Sequence, residues 1–117
     1  MCEYNDYTVE LRRLPAGEVP SRFVNLTPQD LAAQPLIRQI MDAYDDPSTM
    51  PGARFAGDFL RVPLVRPPQN DTARRANDFL VSRFGGAPYP VVVTRGDGAY
   101  YEWWFLVADP GPVGPCV

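Results

Sequence analysis

The sequence predicts a single α+β domain of element order β-α-β-α-β-β, with a mostly antiparallel sheet and two helices on one face. Apolar and polar residues alternate from Tyr7 to Arg12, two strand-like runs flank a glycine-bearing turn between Pro90 and Val107, and helical apolar spacing occurs twice in between. The length of 117 residues, 45% of them hydrophobic, fits one compact core and leaves no room for two. The domain is expected to span 1–108, followed by a tail over 109–117 with three prolines and two glycines.

Each element follows from local chemistry. Tyr7, Val9 and Leu11 alternate with Thr8, Glu10 and Arg12, the pattern of a half-buried strand. Two prolines and a glycine between Leu14 and Pro20 then force a loop. Thr27-Pro28-Gln29-Asp30 opens a helix: threonine caps, proline occupies the first turn where its missing N–H costs nothing, and aspartate meets the positive end of the dipole. Pro35 interrupts, so the spacing predicts a short turn over 28–33 and a main helix over 35–44 with Leu36, Ile37, Ile40, Met41 and Tyr44 facing the core. After a turn-rich stretch over 47–58, Phe59 to Val65 reads as a strand, and Pro63 points to an edge position. A second helix is expected over 71–84, capped by Asn70 or Asp71, with Ala76, Phe79, Leu80 and Phe84 as its stripe and Gly85-Gly86 as a left-handed stop. Pro90 to Arg95 and Ala99 to Val107 form a hairpin around Gly96-Asp97-Gly98. Its second strand has Tyr101, Trp103, Phe105 and Val107 on one face and Tyr100, Glu102, Trp104 and Leu106 on the other; the helices are expected over the Trp103 side.

The residue types exclude more chemistry than they offer. All eleven basic residues are arginine, and there is no lysine or histidine. A phosphate loop and a Schiff base both need lysine, and serine or cysteine nucleophiles lack their histidine base. No cofactor is expected. Cys2 and Cys116 cannot complete a structural zinc site. Asp42, Asp45 and Asp46 lack the alternating ligands and central glycine of a calcium loop and read as a solvated helix end. A net charge of -3 with scattered arginines supplies no basic stripe for nucleic acid, nor enough acid to imitate it. A carboxylate-pair enzyme would need two acids converging in one cleft, a pairing that no spacing here marks.

Some features admit a functional reading. Arg95-Gly96-Asp97 spells an integrin-recognition tripeptide, but glycine and aspartate are also what a tight turn requires. Tyr100, Glu102 and Trp104 form the candidate partner-binding surface, because tyrosine and tryptophan supply large contact area at small entropic cost. Cys2 and Cys116 could form a disulfide in an oxidising compartment, or Cys2 could carry a lipid as a mature lipoprotein N-terminus, or both could be free thiols in a cytoplasmic protein. Asn25-Leu26-Thr27 and Asn70-Asp71-Thr72 fit the glycosylation pattern at Asn25 and Asn70, and each also fits a helix start.

The stretch from Arg22 to Leu31, with Pro35-Leu36-Ile37, Tyr7-Thr8-Val9-Glu10-Leu11 and Gly98-Ala99-Tyr100-Tyr101, resembles small uncharacterised archaeal secreted or lipid-anchored surface proteins. The resemblance covers about half the chain and brings no activity or catalytic residues with it. It implies a lipoprotein cysteine at Cys2, a use for the two sequons, and a GC-rich genome behind the missing lysine.

The expectation is therefore a non-catalytic binding or assembly domain, exported or on the cell surface and lipid-anchored through Cys2. Its aromatic sheet face would bind a protein partner or a second copy, without nucleic acid and without membrane contact beyond the anchor. The alternative is a small intracellular inhibitor or accessory protein in the cytoplasm, such as a virus-encoded anti-defence factor.

Overall fold

The computed structural model describes residues 6–65, 68–86 and 90–108. Cys2, Cys116 and the 109–117 tail lie outside them. Six strands make one sheet: β1 (Asp6–Arg13), β2 (Val24–Asn25), β3 (Arg54–Ala56), β4 (Phe59–Leu64), β5 (Val91–Thr94) and β6 (Tyr100–Ala108). Three helices, α1 (Pro28–Ala33), α2 (Pro35–Asp45) and α3 (Gln69–Phe84), and a 3₁₀ turn over Pro47–Thr49 complete the domain. The sheet order is β2-β5-β6-β1-β4-β3, with every neighbouring pair antiparallel except β2 and β5. This is the α+β architecture that the sequence predicts, with two short strands added.

The added strands lack a pattern that sequence reading can detect. β2 has two residues, and its hydrogen bonds to β5 continue as Leu26 N–H donates to the Thr94 carbonyl. β3 has three, all exposed, inside the stretch read as turn. β3 also corrects the reading of β4 as an edge strand. It pairs with Phe59, Leu60 and Arg61 only and stops short of Pro63, so β4 is interior at one end and free at the other. Gly52 lies beside Pro63 instead, in a left-handed conformation; a Cβ there would come within 3.0 Å of the Pro63 ring. A proline is tolerated where no strand asks for its N–H.

The helices pack on one face, against Val9 and Leu11 of β1, Leu60, Val62 and Leu64 of β4, Val91 and Val93 of β5, and Tyr101 and Trp103 of β6, all buried. From α2 come Leu36, Ile37, Ile40, Met41 and Ala43. From α3 come Ala73, Ala76 and Leu80, residues three and four apart on one helical face. Small alanines let α3 approach closely enough for Asn77 to meet the sheet: the fully buried Trp103 donates its Nε1–H to Asn77 Oδ1 at 3.1 Å. Phe79 and Phe84 are only half buried, and guanidiniums cover them, Arg83 over Phe79 and Arg22 over Phe84.

The helix ends show which local signals held. Thr27 and Asp30 form a capping box, and Asp30 also reaches Arg83 at 2.8 Å, tying α1 to α3. α3 ends at Gly85 in the left-handed conformation, with Gly86 N–H donating to the Val81 carbonyl as in a Schellman cap. Arg22 donates from Nε and Nη2 to the Phe84 carbonyl at 2.9 and 2.6 Å, placing a cation at the negative end of the dipole. The start of α3 differs from expectation. It begins at Gln69 after Pro68 with no side-chain cap, so neither Asn70 nor Asp71 is the N-cap. Asn70 lies in the first turn, is 3% exposed, and accepts from the Asp71 N–H.

Candidate functional site

Among the described residues every helix lies on one side of the sheet, and no described helix covers the other. Cross-strand register arranges its side chains in rows. One row runs Arg54, Arg61, Glu10, Trp104 across β3, β4, β1 and β6. The next runs Ala56, Phe59, Arg12, Glu102, Val92 and continues onto β5. A third joins Pro63, Thr8 and Leu106. This face is a charged lattice with aromatic residues set into it.

Tyr100, Glu102 and Trp104 do share this face, and the first two are already engaged. Tyr100 packs edge-on against Phe23, ring centroids 5.0 Å apart. Glu102 accepts from Arg12 Nε at 2.8 Å, and this pairing raises the arginine pKa. Arg12 also lies over the Phe59 ring. Trp104 is half buried, and its Nε1–H is covered without an acceptor among the described residues. Glu10 pairs with Arg61 Nε at 2.9 Å. Sequence reading singled out Tyr100, Glu102 and Trp104 but not Glu10, Arg12, Arg54, Phe59 and Arg61 as members of this surface. Alternation puts Glu10 and Arg12 of β1 on one face and Phe59 and Arg61 of β4 on one face, but only the β1-β4, β1-β6 and β3-β4 pairings bring them and Arg54 of β3 together.

A small cleft of about 140 Å³ opens at the end of this face, lined by Thr8, Gly52, Arg54, Arg61 and Pro63. A broader groove of about 520 Å³ lies elsewhere, among Pro35, Leu36, Gln39, Met50, Gln69 and Thr72, with no charged residue among the described residues that line it.

The remaining sequence features find structural places. The Asp42, Asp45 and Asp46 cluster fans out: Asp42 pairs with Arg95, Asp45 with Arg13 at 2.8 Å, and Asp46 accepts from Ser48 in the following turn. Arg13 further donates to the Tyr101 hydroxyl at 2.6 Å and stacks on Tyr44 and Tyr101; these hydrogen bonds raise its pKa, so it stays charged. The tripeptide Arg95-Gly96-Asp97 forms the β5-β6 turn, with Arg95 held by Asp42 and Asp97 Oδ1 accepting the Ala99 N–H. Among the sequon asparagines, Asn25 is exposed on edge strand β2, whereas burial of Asn70 leaves no room for a glycan on the folded domain. Among the described residues no group of three or more histidine, cysteine, aspartate or glutamate side chains could hold a metal ion. No described helix is long and apolar enough to cross a membrane.

No protein-family model, curated protein or solved structure matches this chain.

Proposed function

We propose that this chain is a non-catalytic binding or assembly domain that presents its open sheet face, centred on Tyr100, Glu102 and Trp104, to a protein partner. The observation that carries the reading is Trp104: a half-buried indole on the face that no described helix covers, its N–H without an acceptor among the described residues. An unpaired, covered N–H costs about 1–3 kcal/mol, and a turn of the ring toward a partner's carbonyl would relieve that cost. Tryptophan is also, with tyrosine and arginine, among the residues enriched at interface hot spots.

The test is Trp104→Ala, with the fold followed by circular dichroism and association by sedimentation velocity over a concentration series and by cross-linking in the native source. The fold should survive and association should be lost. A variant that unfolds, or that associates like the wild type, ends the proposal. Export and lipid anchoring through Cys2 rest on Cys2, Cys116 and Asn25, and intact mass from the native source tests them. Added lipid or glycan mass, or a Cys2–Cys116 disulfide, supports a surface role; two free thiols on an unmodified chain favour an intracellular inhibitor instead.

A further inference from the structure

We infer that the cleft between Arg54 and Arg61 is a carboxylate-binding site, and that the partner of the open face carries an acidic side chain that enters it. The inference rests on the protein-partner reading above and specifies that partner's chemistry. Arg54 and Arg61 stand directly opposite each other on antiparallel strands, a placement that like charges disfavour. Glu10 relieves half of it by pairing with Arg61. Arg54 has no carboxylate partner among the described residues, although acids outnumber arginines in the chain by fourteen to eleven.

The geometry fits one oxyanion group. Arg61 meets Glu10 through Nε, and no ion pair of its terminal nitrogens is found among the described residues. Arg54 supplies a second planar fork, of the kind that matches a carboxylate with paired hydrogen bonds. The Thr8 side chain lines the same cleft, and Gly52 and Pro63 close it with apolar walls in close approach. Two guanidiniums against one carboxylate leave a single positive charge, which a carboxylate balances and a phosphate dianion over-compensates.

The cleft lies in the same row as Trp104, three strands away. At about 4.8 Å per strand that is roughly 14 Å, which an extended chain covers in about four residues. The partner segment is therefore one with an acidic residue and an apolar residue about four positions apart, the acid at Arg54 and the apolar residue at Trp104.

The test uses the whole chain and N-acetylglutamate α-amide as the probe, with N-acetylglutamine α-amide as its neutral twin. Arginine Nε–H and backbone amide signals are followed by NMR. The acid should give saturable shifts at Arg54, Arg61, Thr8 and Gly52, and the neutral twin should give none. Arg54→Gln, on an exposed edge strand, should keep the wild-type melting temperature and weaken the probe by about tenfold or more, the value of one charge-assisted pair. Arg61→Lys keeps the charge, loses the fork and should weaken it as well. Absence of saturation, an equal response to the neutral twin, unchanged affinity in both variants, or tighter binding of inorganic phosphate at these residues overturns the assignment. The small probe needs no partner, so failure here is separable from failure of the Trp104→Ala experiment.

Discussion

Trp103 and Trp104 are adjacent in sequence and on opposite faces, and the same substitution at each should change stability in opposite directions. In Trp103→Phe the fully buried indole loses its hydrogen bond to Asn77, a cost of about 1–3 kcal/mol. The smaller ring leaves roughly 40 Å³ unfilled, which adds about 1 kcal/mol at ~24 cal/mol per Å³. In Trp104→Phe the substitution removes an N–H that has no acceptor among the described residues, a gain of about 1–3 kcal/mol, against about 0.5 kcal/mol of lost contact at a half-buried site. With an unfolding entropy of about 2.1 cal/mol/K per residue, 1 kcal/mol corresponds to about 4 °C. Trp103→Phe should lower Tm by about 8–16 °C, and Trp104→Phe should raise it by about 2–10 °C. Calorimetric melts measure both. Acrylamide quenching supplies the internal check: the indole left in Trp103→Phe should quench more readily than the one left in Trp104→Phe. Equal losses of stability, or equal quenching, would refute the assignment of the two residues to opposite faces.

Three further outcomes are expected. Asp30 has a pKa held below the usual aspartate range by the Thr27 backbone N–H and by Arg83, so its stabilisation is present above about pH 3.9 and is lost as pH falls through its lower folded value; Asp30→Asn should flatten the acid limb of a pH-dependent melt and leave pH 5–8 level. Gly85→Ala places a Cβ at positive φ and 3.1 Å from Arg22 Nη2, and should cost about 1–2 kcal/mol; combined with Arg22→Ala the loss should be less than additive, as a double-mutant cycle in urea would show. Arg13→Lys keeps the charge but loses the fork shared by Tyr101 and Asp45, and should cost about 1 kcal/mol with no recovery at low salt, measured by urea denaturation.

The exclusive use of arginine has a visible consequence. Arg12, Arg13, Arg22 and Arg83 each lie over an aromatic ring while pairing with a carboxylate or carbonyl. A planar guanidinium can do both at once, which an ammonium cannot. Composition announced the arginines; only the fold reveals which rings they cover.

Where an instruction lies within a few residues, the sequence alone was sufficient. Thr27-Pro28-Gln29-Asp30 specified its capping box, Gly85-Gly86 its helix stop, Leu36, Ile37, Ile40 and Met41 their buried stripe with Tyr44 only partly buried, and strict alternation sent Trp103 inward and Trp104 outward. Such signals depend on hydrogen bonds and periodicities closed within one turn or one strand. What the tertiary structure decided depends on partners distant in the chain. The two short strands exist only because β5 and β4 offer edges to pair with. α3 begins at Gln69 after Pro68 rather than behind an Asn70 cap, and Asn70 is buried in its first turn. The pairing of Arg12 with Glu102 spans ninety positions, and the cleft between Arg54 and Arg61 forms where β3 meets β4 beside β1. Contacts of that kind follow from strand order and register, which no local pattern encodes.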